Sequence, residues 1–366
     1  MSRKLTATAA ASALLVLSLA ATAADALTLP SWLQFGAGAS APAATATTPA
    51  PAAAAAPAPV AVNPLPPGQL PNYRAIVQSQ GPAVVGVTVA GLRSKRIAFN
   101  SETVDITDAD AVERVFAACK PEVVTHQAAQ TSVAVSTREP ARDAQVNVVG
   151  SVHVLEACVR HGVGRLVFAS TGGAIYGEVP EPRRAVVGDP TLPLSPYACS
   201  KLAVEHYVHM YGQAHGLHAT ILRYANVYGP RQDPHGEAGV VAIFSRKLLS
   251  GAPCRINARR EAGDDGCVRD YVSVRDVVKA NRLAIAGELG DGTINICTGR
   301  PTTTLEIARG LMHALGLDVP LEHGPWRAGD LERSVLDDTQ MRARVGEPLG
   351  LDEGLRDTAA WFRDHG

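Results

Sequence analysis

Tyr197 and Lys201 stand four positions apart in "PYACSK", a spacing that puts both side chains on one face of a helix, one turn apart. A phenol and an ammonium so placed can do acid–base chemistry. Tyrosine ionises near pH 10 in water, so a base working near pH 7 needs its pKa lowered by about three units, or about 4 kcal/mol, and a neighbouring cation favours the anion. Upstream, "FASTGGAIYG" (168–177) is a buried strand that ends in hydroxyls and glycines. In a parallel sheet, ligands gather at the carboxyl ends of strands, so Thr171, with Ser170 behind it, is placed to face the Tyr/Lys pair. By itself Tyr-x-x-x-Lys also fits an amphipathic surface pair, and a lone threonine fits a turn hydroxyl. It is the combination that points to a proton-transfer site.

The elements that must carry these groups are regular from about residue 97. In "DADAVERVFAAC", Val112, Val115, Phe116 and Cys119 recur at helical spacing behind Thr107 or Asp108 as N-cap. "EVVTHQA", "RLVFAS" and "HATILR" read as short buried strands, and residues 140–161 and 196–215 as helices. In the first of these helices Val148, Val152, Leu155 and Val159 are expected on the buried face. Strands alternating with helices argue for βαβ units and a mostly parallel sheet. His126, inside one strand, reads as a packed core residue.

The chain has 366 residues, 46% hydrophobic and 19% charged, with formal net charge −1. That balance gives no electrostatic case for nucleic acid or an anionic membrane surface. The eleven histidines show no H-x-x-x-H spacing, so no metal site is expected. The six cysteines are widely spaced with no C-x-x-C, the usage of a reduced cytosolic enzyme.

The N-terminus carries a different address. Arg3 and Lys4 precede an apolar run at 9–23, and "ATAADA" offers small-residue cleavage sites after Ala23 or Ala26, a signal-peptide pattern. Nothing later is a confident membrane span. Localisation therefore stays open between the cytoplasm, implied by the body, and the periplasm, implied by the leader. Residues 36–70 are dominated by Ala, Pro, Thr and Gly, a composition that cannot build a core and reads as a disordered tether. "PNYRAIVQSQGPAVVGVTVAG" (71–91), with the signal and tether, resembles the start of periplasmic Do-like serine proteases, though no protease nucleophile motif follows.

The body, from about residue 97 to the C-terminus, resembles the extended short-chain dehydrogenase/reductase superfamily, and most closely the UDP-sugar 4-epimerases. The resemblance rests on "VDITD", "HQAAQTSV" (126–133), Asn147, Ser170–Thr171, Tyr197/Lys201, "RYANVYGPRQ" (223–232), "VRDYVSVRDVV" (268–278), "NICTGRPTTT" (295–304) and "RAGD" (327–330). It implies NAD as cofactor, a UDP-sugar as substrate, a 4-keto intermediate and a place in galactose metabolism. It implies that Tyr197 is the base, that Lys201 holds the nicotinamide ribose, and that Thr171 bonds the reacting sugar oxygen. Asp105 and Ile106 would flank the adenine; Ala128, Ala129, Gln130, Asn147 and Ser170 would line the cofactor channel. Asn226, Arg269, Arg327 and Asp330 would hold the uracil and diphosphate, for which arginine's fork is suited, while Asp270 is expected in a structural ion pair. Where related dehydratases place an acid pair after the threonine, this chain has Gly172-Gly173, which cannot act as general acid or base. A homodimer through a helix pair is also implied.

One part of the pattern is missing. The cofactor domain should open with a strand, a G-x-x-G-x-x-G turn and a helix whose N-terminus takes the pyrophosphate, and no such turn occurs in the sequence. "GAGAS" (36–40) has no strand before it. The stretch 86–108 reads as a junction entering the body at its third strand, with Val84–Val89 the best stand-in for the first. The expected fold is thus α/β: a Rossmann-like doubly wound parallel sheet without its first βαβ unit, a smaller C-terminal α/β substrate subdomain and a disordered N-terminal extension. The segments are 1–26 (signal-like), 27–70 (tether), 71–96 (leader and junction), 97–225 (truncated NAD-binding domain) and 226–366 (nucleotide-sugar region, partly interleaved with the Rossmann sheet). Three functions fit: a UDP-sugar 4-epimerase, a truncated or chimeric epimerase body with little turnover, and an exported non-catalytic nucleotide-sugar binder.

Overall fold

A computed structural model describes residues 88–93, 96–100, 104–234, 239–327 and 330–365. The signal-like segment, the tether and leader residues 71–87 lie outside the described residues. Among the described residues no helix is long and apolar enough to cross a membrane.

Four parallel strands form the centre: β3 (Val123–His126), β4 (Arg165–Thr171), β5 (His218–Tyr224) and β9 (Gly292–Ile296). Alternation along the strands sends side chains to opposite faces. Val124, Leu166, Phe168 and Ile221 meet α1 (Ala109–Cys119), α4 (Gly150–Arg160) and α6 (Pro196–His215) on one face. Val167, Leu222, Ile294 and Ile296 meet α8 (Val274–Ile285) and α10 (Thr339–Arg344) on the other. Helices on both faces of a parallel sheet make the doubly wound, Rossmann-like architecture expected.

The N-terminal edge departs from expectation. β1 (Thr88–Arg93) lies beside β3, where a first strand belongs, but runs antiparallel to it. β2 (Arg96–Asn100) pairs antiparallel with β1. The physical reason lies in the connection. Two residues join β1 to β2, which suits a hairpin, whereas a parallel return needs a crossover of about a dozen residues. The stand-in strand is therefore reversed, while "RIAFN", at the edge of the sheet, runs in the same direction as β3.

Helix 140–161 also differs in detail. It follows a short helix, α2 (Val133–Arg138), and comprises α3 (Pro140–Ala144), a π turn (Gln145–Val149) and α4. The inserted residue of a π turn rotates the face downstream. Val154, Leu155, Ala157 and Cys158 are buried, while Val152 and Val159 are only half-buried.

The C-terminal region builds a second layer. β8 (Val268–Ser273) pairs parallel with β6 (Asn226–Tyr228) and β12 (Arg333–Ser334), and antiparallel with β10 (Pro301–Thr303). β7 (Cys254–Asn257) and β11 (Leu321–Gly324) form a separate parallel pair. Tyr228, Phe244, Ile256, Tyr271, Leu311 and Leu355 fill its core with α7 (Val240–Leu249), α9 (Thr304–Leu315) and α11 (Leu351–His365). β9 lies in the main sheet, and α8 packs against it.

Candidate active site

β4 ends at Thr171, and the chain turns there into a short helix, Gly172–Ile175 (α5). The turn is tight. A Cβ at Gly172 would meet Leu336 Cδ1 at 2.4 Å, and one at Gly173 would meet Asn226 Oδ1 at 2.6 Å. Helix α6 starts cleanly beside it: Ser195 is the N-cap, accepting from the Ala198 amide at 3.2 Å, and Pro196 occupies the first turn. Tyr197 follows at once, and its hydroxyl shares a hydrogen bond with Thr171. Burial pushes the Tyr197 phenol up to about 12, against the Thr171 bond, and the Asp143 carboxylate raises it further.

Lys201, one turn on, is buried. Its Nζ donates to the Ala169 carbonyl at 2.9 Å and lies 4.9 Å from the Phe168 ring centre. Burial lowers the Lys201 ammonium to about 8, while Asp143 and Glu205 act to raise it. The one-turn spacing thus brings both groups to the end of β4, with the ammonium turned onto the strand.

Thr171 and Tyr197 form one wall of a cavity of about 570 Å³ whose other walls include Asn226, Arg269, Arg327 and Asp330. Groups far apart in sequence therefore share one chamber. Arg327 and Asp330 pair with each other at 3.0 Å. Lys247, Arg255 and Tyr271 also line the chamber and were missed from sequence. Their only signals were a basic last helical turn and strand alternation, which do not say what an element faces.

The residues expected at the cofactor lie away from that cavity. Asp105 is exposed, its carboxylate accepting from Thr107 N and Oγ1 at 2.9 and 2.8 Å. Ile106 is buried against Gly150, and its carbonyl lies 3.0 Å from His153 Nδ1. Ala128 and Ala129 are buried just past β3. The Gln130 amide donates to Asn147 Oδ1 at 2.8 Å, and Asn147 Nδ2 donates back to the Gln130 carbonyl at 2.9 Å. The Ser170 hydroxyl donates to Glu205 at 2.5 Å, so it braces the core behind Thr171. His126 Nε2 lies 2.8 Å from Ser151 Oγ, whose own proton goes to the Asn147 carbonyl. Nε2 is then the donor and the ring is neutral. Burial and the nearby Lys201 hold its pKa down to about 3.

Asp270 departs from the expected ion pair. It makes no ion pair among the described residues; its carboxylate instead accepts from Thr298 N and Oγ1, Gly299 N and Leu336 N. Its donors are mostly backbone amides, two from the loop after β9 and one from Leu336 just past β12.

The model of the NAD dependent epimerase/dehydratase family matches residues 76–297. The chain belongs to this family. It is 44% identical over 262 residues to a UDP-glucose 4-epimerase of Mycolicibacterium smegmatis, covering 71% of this chain and 82% of that protein. The crystal structure of a Thermus thermophilus UDP-glucose 4-epimerase in complex with NAD superposes with TM-score 0.69 at 51% identity, over 72% of this chain and 84% of that one. The Thermotoga maritima UDP-glucose 4-epimerase with UDP-glucose gives 0.67 at 45%, over 71% and 82%.

NAD, which the family implies, is fitted unevenly by these residues. The Tyr197 phenol and the Lys201 ammonium, one helical turn apart at the end of β4, offer donors of the kind a ribose diol takes. At the diphosphate end, β1 leads into a hairpin, so among the described residues no helix N-terminus follows that strand.

Proposed function

We propose that this chain is an NAD-dependent UDP-sugar 4-epimerase of the UDP-glucose/UDP-galactose type. The observation that carries the reading is the shared cavity, in which an acid–base pair, Thr171 and Tyr197, faces Asn226, Arg269 and Arg327. Relatives named UDP-glucose 4-epimerase support it. Arg269 and Arg327 take the diphosphate, with Asp330 orienting Arg327. Thr171 hydrogen-bonds the sugar 4-oxygen, and Tyr197 removes and returns its proton. Bringing a phenol from about 12 to a base near pH 7 requires about 7 kcal/mol. When bound, NAD+ would supply a reversible hydride acceptor and a positive charge that favours the phenolate. Lys201 would hold the ribose hydroxyls and add a second positive charge. Gly172 and Gly173 leave no acid to expel water, which favours epimerisation over dehydration.

The test is conversion of UDP-galactose to UDP-glucose by the full chain with added NAD+. Turnover that depends on NAD+ is expected; none at saturating sugar nucleotide and NAD+ refutes the reading. One observation favours a second reading, a catalytically weak chain that still binds UDP-sugar: the reversed β1 offers the diphosphate no helix N-terminus. UDP-glucose binding by calorimetry without NAD-supported turnover would select it. A homodimer belongs to the same proposal, supported by exposed Val149 beside α4 and by Tyr207 and Met210 on α6; sedimentation at a monomer mass would count against it.

A further inference from the structure

Asp143 lies at the end of α3 and is 1% exposed. Its carboxylate accepts three hydrogen bonds: from Gln130 Nε2 at 2.8 Å, Asn147 Nδ2 at 3.0 Å and Ser200 Oγ at 2.7 Å. All three donors are neutral, and among the described residues no lysine or arginine lies within ion-pair distance of it. Hydrogen bonds compensate part of the cost of burying a carboxylate, but they leave its charge unbalanced. The three donors sit on the three segments that meet at the site. Gln130 is on the loop after β3, Asn147 on the π turn, and Ser200 on α6 immediately before Lys201.

Several elements pack around Lys201. Its own helix brings Tyr197 and Glu205; β3 brings neutral His126; β4 brings the Phe168 ring and the Ala169 carbonyl. β5 brings Arg223, which pairs with Glu205, Nη2 donating to Oε2 at 2.6 Å and Nε to Oε1 at 2.9 Å. Glu205 therefore carries its own counter-ion. Asp143, from α3, is the carboxylate that does not.

We propose that Asp143 is a positioning residue of this site: its buried charge, without an ion-pair partner, is the counter-charge of Lys201, and its three hydrogen bonds lock α6 to the loop after β3. This deepens the epimerase reading, since it concerns the lysine that the reading employs. Its direct readout, however, needs neither cofactor nor turnover. The arrangement also has a cost, because the same negative charge disfavours the Tyr197 phenolate. Asp143 thus holds the lysine charged at the expense of the tyrosine, and moves the pH window of the pair as a whole.

The experiment titrates Lys201 itself. The chain has six lysines, so in protein labelled with 13C,15N-lysine the Lys201 Cε resonance can be assigned by its loss in Lys201→Met and followed against pH. In the unaltered protein it should titrate near 8. Asp143→Asn retains the size and most of the hydrogen bonds but removes the charge, and should lower that titration by about one unit. Asp143→Ser is a second neutral variant in case the amide misfolds, with folding checked by circular dichroism. Asp143→Glu, which restores the charge, should bring the titration back towards the original pH. An unchanged Lys201 titration in a folded neutral variant overturns the proposal, as does a shift that Asp143→Glu reproduces. Where turnover is measurable, the neutral variant should move both limbs of the pH–rate profile to lower pH, whereas a purely structural role would lower the rate without moving them.

Discussion

Replacing Glu205 by leucine tests the buried network behind the reactive threonine. Glu205 and Arg223 side chains are 3% and 8% exposed and meet at 2.6 Å. Arg223 Nη1 also donates to the Tyr176 hydroxyl at 2.7 Å, and Ser170 donates to Glu205 at 2.5 Å. Arginine stays charged under all conditions of interest, so Glu205→Leu strands a buried guanidinium. Removing one partner of a buried pair costs about 3–5 kcal/mol, and the lost Ser170 bond adds about 1 kcal/mol. For a body of this size that is a fall of roughly 10–15 °C in Tm. Urea denaturation followed by fluorescence and circular dichroism together measures it, with coincident curves as the two-state check. The double variant Glu205→Leu/Arg223→Met removes the stranded charge as well and should recover at least about 2 kcal/mol. A loss below about 1 kcal/mol in the single variant would refute the reasoning. So would a double variant no more stable than the single, because the penalty would then come from packing and not from an unpaired charge.

Other outcomes follow from the same geometry. Tyr197→Phe should lower epimerisation by about 10²–10⁴-fold with little change in urea midpoint, and near-native turnover would remove Tyr197 as the base. Gly173→Ala places a methyl 2.6 Å from Asn226 Oδ1, so UDP-glucose affinity in calorimetry should drop about tenfold while the fold persists; unchanged affinity would separate Asn226 from the nucleotide. Lys201 titrates near 8 against an ordinary 10.5, so the folded chain pays to keep it charged below pH 8, and that cost fades as pH rises towards 10.5. Lys201→Met should therefore stabilise the protein by up to about 3 kcal/mol at pH 7 and gain little above about pH 11. Equal midpoints at pH 7 would contradict this.

Much of the catalytic strand and helix was legible in the sequence. Thr171 at a strand end, the Ser195-Pro196 helix start and the Tyr197/Lys201 spacing depend on local backbone geometry, which residue type and periodicity encode directly. The π turn escaped because it changes the helical phase without a distinctive residue. Asp270 was misread because most of its donors, on Thr298, Gly299 and Leu336, are backbone groups that any sequence would supply. Lys247 and Arg255 were missed because basic residues on a surface element look alike whether they face solvent or a chamber.

The sequence alone determined the chemistry available: a phenol, an ammonium, a hydroxyl and several arginines on alternating strands and helices, and no glycine-rich phosphate turn. Only the tertiary structure decided how they combine. It turned Ser170 inward to Glu205 and left Thr171 to Tyr197, reversed the strand beside β3, and brought Asp143 to Ser200 across 57 positions of chain. The reason is physical. A side chain's own character is fixed by its covalent structure, whereas its charge state and partner depend on burial and on neighbours that are distant in sequence and meet only when the chain packs.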